Sequence, residues 1–318
     1  NASKGNRSKK RDLTFCTSIV KTRYCITQDP YRMGKAGSSR FIRINDWPLN
    51  RINNPGGFAF MRDNRLRKIL NSDKPSVATH IHTVWPSIVE VIGHTHLYDY
   101  VEFVGEYGPY DLHDLDNLGR AADLYDMGMM IKVDQEPRGF LSQRAIGSGF
   151  QSVLFADCRT PQDFQDCVDI CRPDTPEAGG SYGVATRRFS YMGYGGGQEY
   201  VDALNDIVVA VMIEKGPAVD QIDEILAIEG IDMVQWGPAD YSVSTGQVGQ
   251  WNAIKPVEKM IIEKSLAAGV QPRAEINSID DAKYYLDIGV RHFCVGTDVN
   301  ILHQFWKTQG EGLKNALE

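Results

Sequence analysis

The chain is 318 residues long, 42% apolar and carries a net charge of −7, from 34 Lys and Arg against 41 Asp and Glu. That length suits one α/β barrel or two ordinary domains, and the acidic balance excludes a whole-chain positive field that would draw it to nucleic acid or an anionic membrane. No window approaches the ~20 uninterrupted apolar residues of a membrane span; with no overall positive field, a small anionic substrate would be met by local charge from a metal, a Lys or an Arg.

In chain order, Asn1 to Asp12 is basic and polar, with Lys4, Arg7, Lys9, Lys10 and Arg11. It has too little apolar surface to fold alone and reads as a floppy arm. Leu13 to Phe60, irregular and rich in Pro and Gly, reads as an extension lying on the main body, so residues 1–60 form an arm and extension and 61–318 the main domain. Asn64-Arg-Leu-Arg-Lys-Ile-Leu70 is a short amphipathic helix. After it, a strand and helix alternation repeats eight times, with candidate strands Ser76–Thr83, Tyr100–Gly105, Met129–Val133, Ser152–Ala156, Ile207–Ile213, Met233–Trp236, Val270–Ile276 and His292–Val295. Thr160-Pro-Gln-Asp163 and Ser278-Ile-Asp-Asp281 carry helix-start signals, and Gly230, Gly269 and Gly289 stand where helices should stop. Eight such units without a long polar linker argue for a closed (β/α)8 barrel, with its chemistry at the C-terminal strand ends.

Residues 173–199 form the longest connection, and Gly193-Tyr-Gly-Gly-Gly197 lies within it. No strand leads into these glycines and no Lys-Ser/Thr follows, so a lid or subunit-contact loop is favoured over a phosphate cradle. The six cysteines (Cys16, Cys25, Cys158, Cys167, Cys171, Cys294) have neither the density of a disulfide scaffold nor the paired spacing of a zinc site. Reduced thiols are expected, Cys167 and Cys171 packing on the core face of one helix. No secretory signal is visible, although the sequence begins without Met, and a cytoplasmic setting is expected.

Two of the strands end on an acid in a Gly/Pro setting. Ile207-Val-Val-Ala-Val-Met-Ile213 stops at Glu214, and Ile231-Asp-Met-Val-Gln-Trp236 runs through Gly237-Pro238-Ala239 to Asp240. Two carboxylates on neighbouring strand ends suit a hard divalent cation, since Mg²⁺ takes one or two protein carboxylates and fills its octahedron with water or substrate oxygens. The other reading is that both acids merely cap helices. Asp240 also opens a helical turn, so the amides of Ala239 and Asp240 would face an anion beside the metal.

Val211-Met-Ile-Glu214, Trp236-Gly-Pro-Ala-Asp-Tyr-Ser242 and Val295-Gly-Thr-Asp-Val299 together resemble the HpcH/HpaI family of metal-dependent 2-oxo-acid aldolases, over roughly Asn64 to Trp306. The resemblance implies a modified TIM (β/α)8 barrel, a trimeric or hexameric homo-oligomer with the last helix packed on a neighbouring subunit, and Glu214 and Asp240 as ligands of Mg²⁺ (or Mn²⁺ or Co²⁺). It also implies a pyruvate-like substrate whose carboxylate is held at Gly237, Ala239 and Asp240. Cleavage next to a carbonyl generates an enolate, and a Lewis acid stabilises that charge. The chain departs from the family at two places. Lys132 stands where the family has an Arg, and supplies a point charge without the bidentate fork. On the second strand the family's Asp-Gly-Glu-His becomes Val104-Gly105-Glu106-Tyr107, and the family's acidic helper near Gly147 is missing too.

The acid/base work would then fall to other groups. His80 and His82 alternate on one face of the first strand and titrate in the right range, hydrogen bonding in the barrel wall being the alternative. Tyr107 is a candidate proton donor, Glu106 a candidate to reach the metal through water, and Lys132 serves either the substrate or a neighbouring acid such as Asp134. Arg273, with Glu275, either grips a distal substrate carboxylate or forms an internal salt bridge. The expected activity is a metal-dependent carbon–carbon lyase. Decarboxylation, hydrolysis or addition from the same enolate is the alternative, and a catalytically silent acid-binding barrel the third reading.

Overall fold

The computed structural model describes residues 62–184 and 196–318. The arm and extension expected over residues 1–60, and the centre of the long loop, lie outside the described residues. Eight parallel strands close into a barrel in sequence order, the first pairing with the last. They are β1 (Ser76–Ile81), β2 (Tyr100–Val104), β3 (Gly128–Val133), β4 (Ser152–Phe155), β5 (Val208–Ile213), β6 (Met233–Trp236), β7 (Gln271–Ile276) and β8 (His292–Thr297). The helices are α1 (Arg65–Asn71), α2 (Pro86–His94), α3 (Leu112–Asp123), α4 (Arg138–Gly147), α5 (Pro161–Cys171), α6 (Gln198–Asn205), α7 (Gly216–Asp220), α8 (Ile222–Leu226), α9 (Pro238–Ser244), α10 (Trp251–Ala267), α11 (Ala282–Asp287) and α12 (Asp298–Leu317). Among the described residues no helix is long and apolar enough to cross a membrane.

The strands are apolar in unbroken runs because both faces are covered, the outer by helices and the inner by the opposite wall. Every residue of β5 is buried. Its Val209, Val211 and Ile213 join the core beneath the helices, while Val208, Ala210 and Met212 join a second cluster inside the barrel with Ala78, Tyr100, Met130, Leu154, Met233 and Cys294. The start signals read from the sequence act as expected. Thr160 and Asp163 form a reciprocal cap on α5, and Ser278 and Asp281 do the same on the 3-10 turn that leads into α11. Gly269 and Gly289, at φ +79° and +95°, end α10 and α11 in the left-handed region. Cys167 and Cys171 lie on the buried face of α5, in the packing role expected of them.

α1 closes the N-terminal end of the barrel. Leu66 enters the inner cluster, and the Asn64 amide donates to the carbonyls of Gln151 (2.6 Å) and Asp206 (2.8 Å). Arg67 makes a two-pronged pair with Asp232 at 2.5 and 2.7 Å. At the other end of the chain α12 leaves the barrel, and Asp298 is its one buried residue. Val299, Ile301, Phe305, Trp306, Leu313 and Leu317 are exposed along it.

Candidate active site

Glu214 follows β5 directly and is 2% exposed. Its Oε1 accepts a 2.7 Å hydrogen bond from the Asp157 amide at the end of β4. Burial pushes its pKa up to about 7; the Asp157 amide and the Lys132 charge oppose that rise, and the Asp240 and Asp157 carboxylates add to it. A buried acid held this high, among other acids, is a group that a cation would stabilise. Gly237 makes the space: a Cβ there would lie 2.5 Å from Glu214 Oε2 and 2.6 Å from Glu214 Cβ. Gly237→Ala should therefore displace Glu214, lowering stability by about 1–3 kcal/mol and weakening metal binding. Thermal unfolding and calorimetric metal titration check this, and a variant with unchanged metal affinity would show that Gly237 does not set the position of Glu214.

Asp240, in the first turn of α9, is half exposed and accepts a 2.6 Å hydrogen bond from Lys215 Nζ, which also pairs with Asp157. Asp157 thus ties both acids together, its amide to Glu214 and its carboxylate through Lys215 to Asp240. Its backbone is left-handed, φ +62°, a conformation that costs a non-glycine residue free energy. Pro238 has no amide, and the Tyr241 amide turns back to Gly237. The amides of Ala239 and Asp240 are therefore the ones the first turn of α9 presents. Two carboxylates, one buried and one open to solvent, with the remaining positions left to water or ligand, fit a hard divalent cation of the Mg²⁺ type.

Across the mouth, Lys132 at the inner end of β3 pairs with Glu106 at 2.6 Å. Burial would lower the Lys132 pKa, but Glu106 outweighs it and keeps the ammonium charged. Its carboxylate partner is thus Glu106 from the β2 loop, not the adjacent Asp134. Lys132 also lies 3.4 Å from the Tyr107 hydroxyl and 5.0 Å from the ring centre. Burial pushes the Tyr107 pKa up, the Lys132 charge offsetting part of the rise, so the phenol stays protonated. The Tyr107 ring meets His82 edge-on at 5.4 Å. Gly108 permits that approach, since a Cβ there would come within 2.8 Å of the His82 carbonyl.

β1 ends at Ile81, two residues before the end read from the sequence, because the amides of His82 (2.9 Å) and Thr83 (3.2 Å) turn to the Asp298 carboxylate and leave the sheet. His82 consequently stands at the mouth, whereas His80, on the same face, is buried below it. Burial lowers the His82 pKa below its ordinary value, the Asp298 carboxylate offsetting part, so the imidazole is neutral at physiological pH.

Arg273 is turned inward and fully enclosed, in an ion pair with Glu102 and in hydrogen bonds to Gln235 and, at 2.8 Å, the Tyr100 hydroxyl. Of the two roles left open for it, the internal salt bridge is the one present; the guanidinium is held by three partners and its side chain is 0% exposed, which leaves it no open face toward the mouth for a distal carboxylate. The structure therefore brings Glu214, Asp240, Ala239, Gly237, Lys132, Glu106, Tyr107 and His82 to one mouth, with His80 and Arg273 beneath.

Asp157 and Asp298 also belong to the mouth, beyond the residues expected from the sequence. Asp157 carries the signal used for Glu214, an apolar strand running into an acid. Asp298 was in view within Val295-Gly-Thr-Asp-Val299, but its grip on the distant His82 amide follows only from closure of β8 on β1.

The family described as HpcH/HpaI aldolase/citrate lyase matches residues 84–303. A hydroxypyruvate/pyruvate aldolase of Roseovarius nubinhibens is 30% identical over 227 residues, 69% of this chain and 84% of its own length. A 2-keto-3-deoxy-L-rhamnonate aldolase of Escherichia coli is 30% identical over 218 residues, 67% and 79% of the two chains. Among solved structures, an HpcH/HpaI aldolase/citrate lyase family protein from Burkholderia cenocepacia J2315 superposes with a TM-score of 0.72 at 24% identity, covering 79% of this chain and 100% of its own.

Proposed function

Because the chain belongs to the HpcH/HpaI aldolase/citrate lyase family and is an enzyme of the aldolase-like lyase class, we propose that it makes or breaks a carbon–carbon bond beside the carbonyl of a small anionic 2-oxo acid of the pyruvate type. The observation that carries this reading is the pocket that Gly237 leaves for the buried Glu214, with Asp240 a few residues on. Glu214 and Asp240 would hold Mg²⁺, Mn²⁺ or Co²⁺, which when bound supplies Lewis-acid stabilisation to the enolate charge.

The chain's own groups do the rest. The Ala239 and Asp240 amides orient the substrate carboxylate, and Lys132 adds a fixed positive charge on the opposite side. Neutral His82 takes the proton of the substrate's 4-hydroxyl as the carbon–carbon bond breaks. The Tyr107 hydroxyl, beside the Lys132 ammonium, gives a proton to the enolate carbon, and the proton held on His82 restores the phenol. Both stand where the mouth opens, which supports them over the enclosed His80. Glu106 holds Lys132 in place.

The test is pyruvate release from 4-hydroxy-2-oxo acids, followed by lactate dehydrogenase coupling, with and without EDTA. Release that EDTA stops and Mg²⁺ restores is the expected result. Turnover indifferent to EDTA would sink the metal-based reading, and the absence of any turnover or metal uptake would favour a silent binding barrel.

The same proposal includes a homo-oligomer, trimeric or hexameric, in which α12 lies on a neighbouring copy. Phe305 and Trp306, 61% and 64% exposed, sit on a helix with one buried residue, a large apolar face to leave in water. Phe305→Asp with Trp306→Asp should reduce the mass measured by light scattering to that of one chain. An unchanged mass would move the interface elsewhere.

A further inference from the structure

We propose a second metal site, inside the barrel below the mouth, in which His80 Nε2, Glu102 and Cys294 Sγ bind Zn²⁺. The three side chains come from adjoining strands β1, β2 and β8, and one donor atom from each lies within 4.8 Å of the other two. They are 4%, 1% and 0% exposed.

The imidazole is the telling group. His80 Nδ1 is 3.3 Å from Glu275 Oε1, and a proton kept on Nδ1 beside that carboxylate would leave the Nε2 lone pair aimed the other way as a ligand. There Nε2 meets Glu102 Oε1 at 3.2 Å, out of alignment for a hydrogen bond, and it has no other hydrogen-bond partner. A lone pair does not face a carboxylate oxygen in a dry interior unless something positive lies between them. A shared proton would need to sit near the line joining the two atoms. A cation does not: two ligand atoms at roughly 2.0–2.1 Å from a tetrahedral ion stand about 3.4 Å apart, close to what is seen.

Cys294 supplies the soft donor that turns this pair into a zinc set. Imidazole, carboxylate and thiolate, three protein ligands with a fourth position for water, match Zn²⁺ better than Mg²⁺, which prefers oxygen alone. The outer partners are already built. Glu275 holds the far side of His80 and is itself held by Gln235 at 3.2 Å, and the other oxygen of Glu102 pairs with Arg273. Charge balances as well: Zn²⁺ and Arg273 bring three positive charges against three negative ones on Glu102, Glu275 and the Cys294 thiolate. Glu275, half exposed in its side chain, gives the ion a way in from the mouth. The site shares no ligand with Glu214 and Asp240.

The test strips the full chain with chelator and titrates it with Co²⁺, following the thiolate-to-cobalt charge-transfer absorption, which an all-oxygen site does not produce. We expect one equivalent to give the band, Glu214→Gln to retain it, and Cys294→Ser and Cys294→Ala to lose it, with circular dichroism reporting that each variant is folded. Glu275→Gln should keep the band but weaken affinity about 10–100-fold. The proposal is overturned by wild-type protein without the band, which would mean a protonated His80 only; by a band that survives both Cys294 variants; or by one that Glu214→Gln removes. The wild-type titration decides even if every variant fails to fold.

Discussion

Glu214→Gln is expected to leave the barrel folded while removing divalent-metal binding at the mouth and about 10³-fold or more of the lyase activity. The size follows from Lewis-acid stabilisation of several kcal/mol at about 1.4 kcal/mol per tenfold in rate. The substitution keeps the shape and the oxygen that accepts the Asp157 amide. It also removes a charge that the site tolerates poorly. Because burial raises the Glu214 pKa to about 7, ionising it in the metal-free protein costs stability, and that cost grows as pH climbs from the ordinary carboxylate range through 7. At pH 8 metal-free Glu214→Gln should thus unfold no lower than metal-free wild type. Asp240→Asn should lose the metal too, with Lys215 still able to donate to the remaining oxygen. Calorimetric Mn²⁺ titration and thermal unfolding measure both effects, and a Glu214→Gln variant with full metal affinity would remove the basis of the proposed chemistry. In the wild type, protons compete with the ion for Glu214, so affinity should fall as pH drops below about 7.

His82→Ala is expected to lower the rate by about 10²–10⁴-fold, the usual worth of a general acid or base. The pH profile separates this from a structural defect. A His82 pKa depressed below 6.5 means the neutral, proton-accepting form is lost only in acid. At saturating metal, kcat/KM should therefore rise with pH through that depressed value and then level off, and in His82→Ala the rising limb should vanish. If His82→Ala leaves the rate unchanged, Tyr107 becomes the proton carrier, and Tyr107→Phe should then show the loss.

The barrel was legible because its cues are local. Continuous apolar runs, reciprocal caps at Thr160 and Ser278, and left-handed glycines at Gly269 and Gly289 each act within a few residues of themselves. The positions of Glu214 and Asp240 were legible for the same reason, Glu214 following a strand directly and Asp240 standing in the first helical turn after one. What a strand's alternation does not give is depth. His80 and His82 share a face, yet one is enclosed and the other reaches the mouth, because Asp298 from the far end of the chain peels His82 off the sheet. Arg273 posed the same difficulty: its position facing inward was readable, but the choice between substrate and Glu102 depended on a strand distant in sequence. Cysteine spacing likewise says nothing about Cys294 beside His80 and Glu102, since ring closure alone makes them neighbours.

α1 has a further consequence for how the ring holds together. Asn64 and Arg67, placed before the first strand, are bonded to Gln151, Asp206 and Asp232, which precede β4, β5 and β6. The beginning of the barrel is laced to its far half by polar bonds lying outside the sheet. A chain severed in the long connection between β4 and β5 would still be one body, its two pieces held by both sheet seams and by this lacing, so scission there should register on a denaturing gel well before it registers in sedimentation.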